Sequence, residues 1–266
     1  MAAKKKPTEK SKKTIKSLDN KKQPAQKKPK TKAVKKVVPD SIPAFRAQIA
    51  AKNARHRRRL KRTIRYEMAN SMSHGIGAGM AIAGMIFLIF KGIAVHEPLR
   101  IVAYTIFGSS LTVLYLASTL YHSLPSPRAK SIFRRIDHAS IYLAIAGSYT
   151  PVTLIALGGS LGWTLFSIVW FFAAAGIFYK SAFKTGHEFI SVSLYIATGW
   201  MIVFAIEPLM ESVNAAGLWL FISGGLAYTL GVIFYSLEKL PYHHMIWHLF
   251  VLAGSITHFI AIYLFV

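Results

Sequence analysis

Seven apolar runs, near residues 70–91, 101–122, 136–157, 160–179, 189–206, 215–236 and 245–266, constrain this chain more than any other feature. Each is close to the ~20 residues with which a helix, rising about 1.5 Å per residue, crosses about 30 Å of hydrocarbon. Runs of that length with so little charge offer no polar face to water, which argues against a soluble helical protein. A cleavable secretory leader is not expected either, because the first apolar run begins far from Met1 and six more follow. The expected fold is all-α: a polytopic membrane protein whose residues 67–266 form a seven-transmembrane-helix bundle.

Charge divides the chain at the edge of that bundle. Its formal net charge is +23, from 33 Lys+Arg against 10 Asp+Glu. Residues 1–66 hold 24 of the basic side chains and 3 of the acidic ones, so the body is nearly neutral. Residues 1–40 are rich in Lys, Pro, Gln, Ser and Thr and bury too little apolar surface to fold, so a disordered basic tail is expected. Residues 41–66 read as a basic amphipathic juxtamembrane segment. Ser41 suits an N-cap with Pro43 in the first turn, Ile42, Phe45 and Ile49 share a stripe, and Arg55, Arg57, Arg58, Arg59, Lys61 and Arg62 follow. Such a helix is expected on the cytoplasmic leaflet, each cation near anionic lipid headgroups contributing about 1 kcal/mol. Nucleic acid is the competing polyanion, and beside a membrane domain it is the less favoured partner.

The short loops set an orientation. Arg128, Lys130, Arg134 and Arg135 follow the second run, and Lys180 and Lys184 follow the fourth. The alternate connections are poor in cations: 92–100 holds one Arg, 158–160 is Gly-Gly-Ser, and 207–214 carries Glu207 and Glu211 alone. By the positive-inside rule the N-terminus is expected on the cytoplasmic side of the cell membrane. The pairs Gly75/Gly79 and Gly224/Gly225 are expected to let helices approach closely.

Ionisable residues inside spans are costly and therefore candidates for function. With no cysteine, soft-metal chemistry must use the ten histidines. Span 1 begins with Glu67, Asn70 and His74 on one helical face; span 2 ends with Ser118 and His122; span 3 begins with Asp137 and His138; span 7 begins with His243, His244 and His248. All of these fall at one leaflet. Histidines 244 and 248, one helical turn apart, can offer two nitrogens to one ion, and His122 at the same depth can supply a third. The same spacing also occurs by chance at helix interfaces. Met245 stands where a zinc-protease helix carries its glutamate base, so a base must come from elsewhere, and Asp137 is the nearest carboxylate by topology. His258 lies ~21 Å further along its helix than His244, too far to share the ion, and a packing or hydrogen-bonding role is expected. His56, His96 and His187 read as solvated, and His74 as a residue that supports or packs near the site.

The string Ser118-Thr-Leu-Tyr-His122, then Asp137, Ala146-Gly-Ser-Tyr-Thr-Pro151 and His244-x-x-x-His248, preceded by Glu67-x-x-Asn70-x-x-x-His74, resembles the hemolysin III family. That family looks like a bacterial branch of the progestin and adipoQ receptors and, more distantly, resembles the alkaline ceramidases. The resemblance covers about residues 66–266 and leaves the tail outside. It implies that His122, His244 and His248 are zinc ligands, that Asp137 bonds the water on the metal, and that Ser118 joins the same constellation. The function it implies is either a zinc-dependent hydrolase of lipid amides or esters, or a non-enzymatic cytolytic or receptor-like protein with a structural metal. Other divalent ions would also suit three histidines and a carboxylate.

Overall fold

A computed structural model describes residues 42–182 and 188–266, and among these every regular element is helical. The tail, Ser41, Lys184 and His187 lie outside the described residues. The helices are α1 (Ile42–Ala94), α2 (Pro98–Ser123), α3 (Pro127–Pro151), α4 (Gly159–Ala182), α5 (Glu188–Gly199), α6 (Ile206–Ser212), α7 (Ala215–Ser236) and α8 (His243–Phe265). A π-helical segment, Val152–Leu157, continues α3, and a 3-10 segment, Met201–Ala205, joins α5 to α6. Grouped in this way, the described residues hold seven helical segments long and apolar enough to cross a membrane, as expected. The chain divides into units at Lys52 and Asn53. Within the first, residues 42–52 are helical and exposed; the second holds all seven spans.

Polarity is arranged inside out. Phe204, Phe189 and Phe178 are among the most exposed side chains, whereas Asn70, His74, Ser118, His122, Asp137 and His248 are buried. Facing lipid, an aromatic ring loses nothing; facing lipid, an imidazole or carboxylate would be without partners. Spans 2 and 3 are the most enclosed, more than half of each apolar window being buried. They pack on each other, while α7 packs on α8. Span 1 turns one narrow face inward, Asn70, Ser73, His74, Gly77, Ala78 and Ala81, a three-and-four spacing that places these residues on one side of the helix.

Small residues set the close contacts, though partly at other positions than expected. A Cβ at Gly79 would meet nothing within 4 Å, and one at Gly75 would meet Thr119 only at 3.8 Å. Gly77, between them, is the packed one, with Tyr115 and Leu252 against it. Gly224 does pack tightly, against His258 and Thr257, and Gly147 leaves room only for Ser110 of α2. Sequence spacing reveals that two small residues share a helix face, but not which way that face turns.

Two spans depart from α geometry, span 3 in its last six residues and span 5 near mid-length. Pro151 removes a backbone donor and the turn after it widens to π geometry; the Thr153 hydroxyl donates to the carbonyls of Tyr149 and Thr150 at 2.9 and 3.2 Å. Span 5 was expected as one helix over 189–206 and is interrupted at Trp200. There the Tyr149 hydroxyl donates to the Gly199 carbonyl at 2.8 Å and accepts the Ile202 amide at 2.9 Å. One side chain thus satisfies both backbone groups that the break releases, which hydrocarbon could not do. The cation-poor connection 207–214 is helical through Ser212, and Arg128, Lys130, Arg134 and Arg135 lie on α3 itself.

Gly147→Leu is expected to lower the thermal unfolding midpoint in detergent by forcing α2 and α3 apart, an overpacking cost of about 1–3 kcal/mol. Gly79→Leu should leave it within about 0.5 kcal/mol. Tyr149→Phe strands two backbone groups at the break, and the same melting experiment should register about 1–3 kcal/mol.

Candidate metal centre

The last turn of α2 and the first two turns of α8 bring three imidazoles together. His122, His244 and His248 each offer a ring nitrogen, and the three nitrogens lie within 4.8 Å of one another. The ring centroids are 5.0 Å apart for His122 and His244, 5.3 Å for His122 and His248, and 4.6 Å for His244 and His248. The α8 pair faces one way because it is spaced by four residues, and Tyr242, with φ 58°, turns the chain into the helix just before it.

Span 1 sets which nitrogen two of the three rings present, those of His122 and His248. The His122 Nδ1–H donates to Glu67 Oε2 at 2.8 Å, and the Asn70 amide group lies 3.4 Å from the same nitrogen. The Ser73 hydroxyl donates to the Asn70 carbonyl at 2.9 Å, so its oxygen is free to accept. His248 Nδ1 lies 3.0 Å from that oxygen and 3.1 Å from the Asn70 carbonyl. Both neighbours accept, so the proton of His248 sits on Nδ1 and its lone pair on Nε2. The Nε2 atoms of His122 and His244 are buried and have no hydrogen-bond partner among the described residues. Buried imidazole nitrogens without partners, converging at this spacing, are a donor set suited to a divalent ion, and a carboxylate or carbonyl behind each ring is the usual outer support of such a ligand.

His74 stacks on His248, centroids 3.5 Å apart and planes 14° from parallel, and meets Tyr115 edge-on. It borders the three-histidine group without joining it. Glu67 also accepts from Lys130 Nζ at 2.8 Å, which holds the carboxylate between α3 and His122. His243 lies beside His244 at 6.1 Å between rings, outside the group. His258 is deeper in α8, where its Nε2–H donates to the Phe221 carbonyl at 3.2 Å. His56 and His96 are exposed.

Asp137 is buried on α3 and adjoins Ser118 of α2, itself fully enclosed. Asp137 is not one of the three converging donors. It nevertheless lines the same cavity as His244 and His248. That cavity, about 150 Å³, runs between α3, α5, α7 and α8 past Ile141, Ile145, Val192, Ile196 and Val251 as far as His258. The site therefore opens onto an apolar slot long enough to follow α8 for several turns.

Of the residues expected from the sequence, the structure brings His122, His244 and His248 together, sets Glu67 and Asn70 on their outer nitrogens, and stacks His74 on one ring. Ser73 and Lys130 escaped the sequence reading. A serine one residue before a histidine carries no signal, and Lys130 was absorbed into the loop-charge argument.

Comparison with known proteins places these residues in a wider setting. A family model described as Haemolysin-III related matches residues 62–259. The chain is 43% identical to Hemolysin-3 of Bacillus cereus over 208 residues, 78% of this chain and 95% of that protein. It is 44% identical to the Hemolysin-3 homolog of Bacillus subtilis over 200 residues, 75% and 94% of the two chains. The human Monocyte to macrophage differentiation factor is similar at 29% over 164 residues, 59% of this chain and 68% of that one. The first 61 residues, with most of the positive charge, lie outside the matched region.

Glu67→Gln weakens the acceptor on the His122 ring while keeping its shape. Competition against a chelator in detergent is expected to show divalent-metal affinity reduced about 10–100-fold, as for other outer supports of a ligating histidine. Glu211→Gln, in α6, should leave it unchanged.

Proposed function

The chain belongs to the Haemolysin-III related family, and from that premise we propose that it is a zinc-dependent hydrolase of lipid amide or ester bonds, embedded in a bacterial cytoplasmic membrane with its N-terminus inside. The observation that carries this reading is the placement of Asp137: off the three-histidine group, yet on the wall of the apolar cavity that the group faces. A structural ion normally takes four protein ligands, and three donors with a carboxylate standing back suit a catalytic centre better.

In this reading His122, His244 and His248 hold the ion, the first and the last through nitrogens turned inward by Glu67, Asn70 and Ser73. Zinc bound there supplies a Lewis acid for a carbonyl oxygen and brings the ionisation of a water toward neutral pH. Asp137 accepts the proton of the attacking water and delivers it to the leaving amine or alcohol, acting first as base and then as acid. Ser118, enclosed beside Asp137, orients the water or the developing oxyanion. Ile141, Val192, Ile196 and Val251 exclude water and accept an acyl chain. The basic segment of α1, its cations exposed, contacts anionic headgroups; nucleic acid is the less suited partner for a helix that feeds a membrane span.

The name of the Bacillus cereus relative favours a second reading, in which the protein permeabilises target membranes and the metal only ties spans 2 and 7 together. No span presents a polar stripe along its whole length to line a channel, so a pore within one copy is disfavoured.

Elemental analysis of the purified protein is expected to give about one zinc per chain, lost in His244→Ala. Asp137→Asn should keep the zinc and lower turnover of amide- and ester-linked lipids about 10²–10⁴-fold, the usual range for loss of a general base. Unchanged turnover in a zinc-replete Asp137→Asn protein, or lysis of red cells without any lipid cleavage, would favour the second reading.

A further inference from the structure

The same end of the bundle carries an ion cluster that the chemistry above does not use. Lys180, near the end of α4, is only 6% exposed, and its ammonium lies 3.4 Å from Glu188 Oε2. Two groups of α3 face the same carboxylate: His138 Nδ1 at 3.8 Å and Arg134 Nη2 at 3.7 Å. Charge-assisted pairs commonly close to about 2.7–2.9 Å. All three contacts are longer, so one carboxylate is strung across a gap wider than itself. Two permanent cations and an imidazole share a single negative charge, and Glu188 is the only ion partner of Lys180 among the described residues. Lys180 is the enclosed cation and Arg134 stands 58% exposed, so the cluster offers one buried and one solvent-facing cation to the same anion.

The cluster borders the cavity. Glu188 and His138 line it together with Asp137 and His244, while the Glu188 side chain is 45% exposed and so stands at the boundary between the cavity and its surroundings. Resting on the hydrolase reading for what fills the cavity, we propose that Arg134, His138 and Lys180 bind the phosphate of a lipid headgroup, which makes the substrate an acylated phospholipid rather than a neutral lipid. A phosphate monoester carries more charge than a carboxylate and offers oxygens in three directions, matching donors that approach from α3 and α4. His138 follows Asp137 directly in α3. The phosphate therefore lies a few bonds from the bond to be cleaved, as it does in a monoacyl glycerophosphate or an N-acyl phosphoethanolamine. Glu188 occupies the phosphate position in its place and swings toward solvent when the lipid enters.

Binding to the zinc-loaded full chain in detergent tests this, with monoacylglycerol phosphate and monoacylglycerol of the same acyl chain as probes and native mass spectrometry as readout. The wild type is expected to hold the phosphate-bearing lipid at least tenfold more tightly. Arg134→Gln, at an exposed position, should lower that preference about tenfold with the neutral lipid unaffected; Lys180→Gln should act in the same direction and Glu188→Gln in the opposite one. Equal affinity for the two lipids, or losses in Arg134→Gln shared by both, overturns the proposal. Glycerol phosphate without an acyl chain should not compete at matched concentration; displacement of the lipid by it assigns the cluster to a soluble phosphate and overturns the lipid assignment. Turnover is read separately. A phosphate preference in binding with cleavage of neither lipid keeps the headgroup site and removes the hydrolase reading, whereas equal cleavage and binding of both does the reverse.

Discussion

Hydrocarbon cannot hydrogen-bond, and every polar group carried into the membrane must find its partner within the protein. That constraint organises the bundle more than apolar attraction between spans does, since a leucine gains little by leaving lipid for a neighbouring helix. It accounts for the large aromatics on the outside and the histidines, serines and carboxylates within. The same need explains the Tyr149 hydroxyl, which bridges the broken backbone of span 5, and the Thr153 hydroxyl, which serves carbonyls at the π turn after Pro151. Where partners run out, as at the inner nitrogens of His122 and His244, the unsatisfied groups converge instead of scattering.

Convergence alone would leave each ring free to turn. Span 1 prevents that: Glu67 holds the outer nitrogen of His122, and the Asn70 carbonyl with Ser73 holds that of His248. The helix with no donor in the group thus governs the direction of two donors. Lys130 then pins Glu67 from α3, so the support reaches across spans 1, 2 and 3 before any ion is considered.

Position along the bundle was legible from sequence, and direction around each helix was not. Loop charge and span order put His122, Asp137, His244 and His248 at one end, and the four-residue spacing put two of them on one face, because both arguments use only position along the chain. The resemblance carried by the Ser118–His122 and His244–His248 strings agrees with the family match over residues 62–259. Gly79 faces open space although its spacing with Gly75 looked like a packing motif, and Gly77 does the packing, because periodicity alone does not orient a helix. The break in span 5 also escaped prediction: its sequence is apolar throughout, and the interruption is supported by Tyr149, fifty residues away in the chain. Lys180 and Arg134 read as topology signals and stand instead around Glu188, a pairing that only tertiary contact reveals.

Two of the three inward-facing donors sit on α8, the last of the seven described spans, and the third on α2. While the chain is being made, His122 enters the membrane early and waits through four more spans before its partners exist. The group cannot assemble on a nascent or truncated chain. Capture of an ion would therefore tie span 2 to span 7 and give the assembled bundle a stability that a chain stopped before α8 lacks.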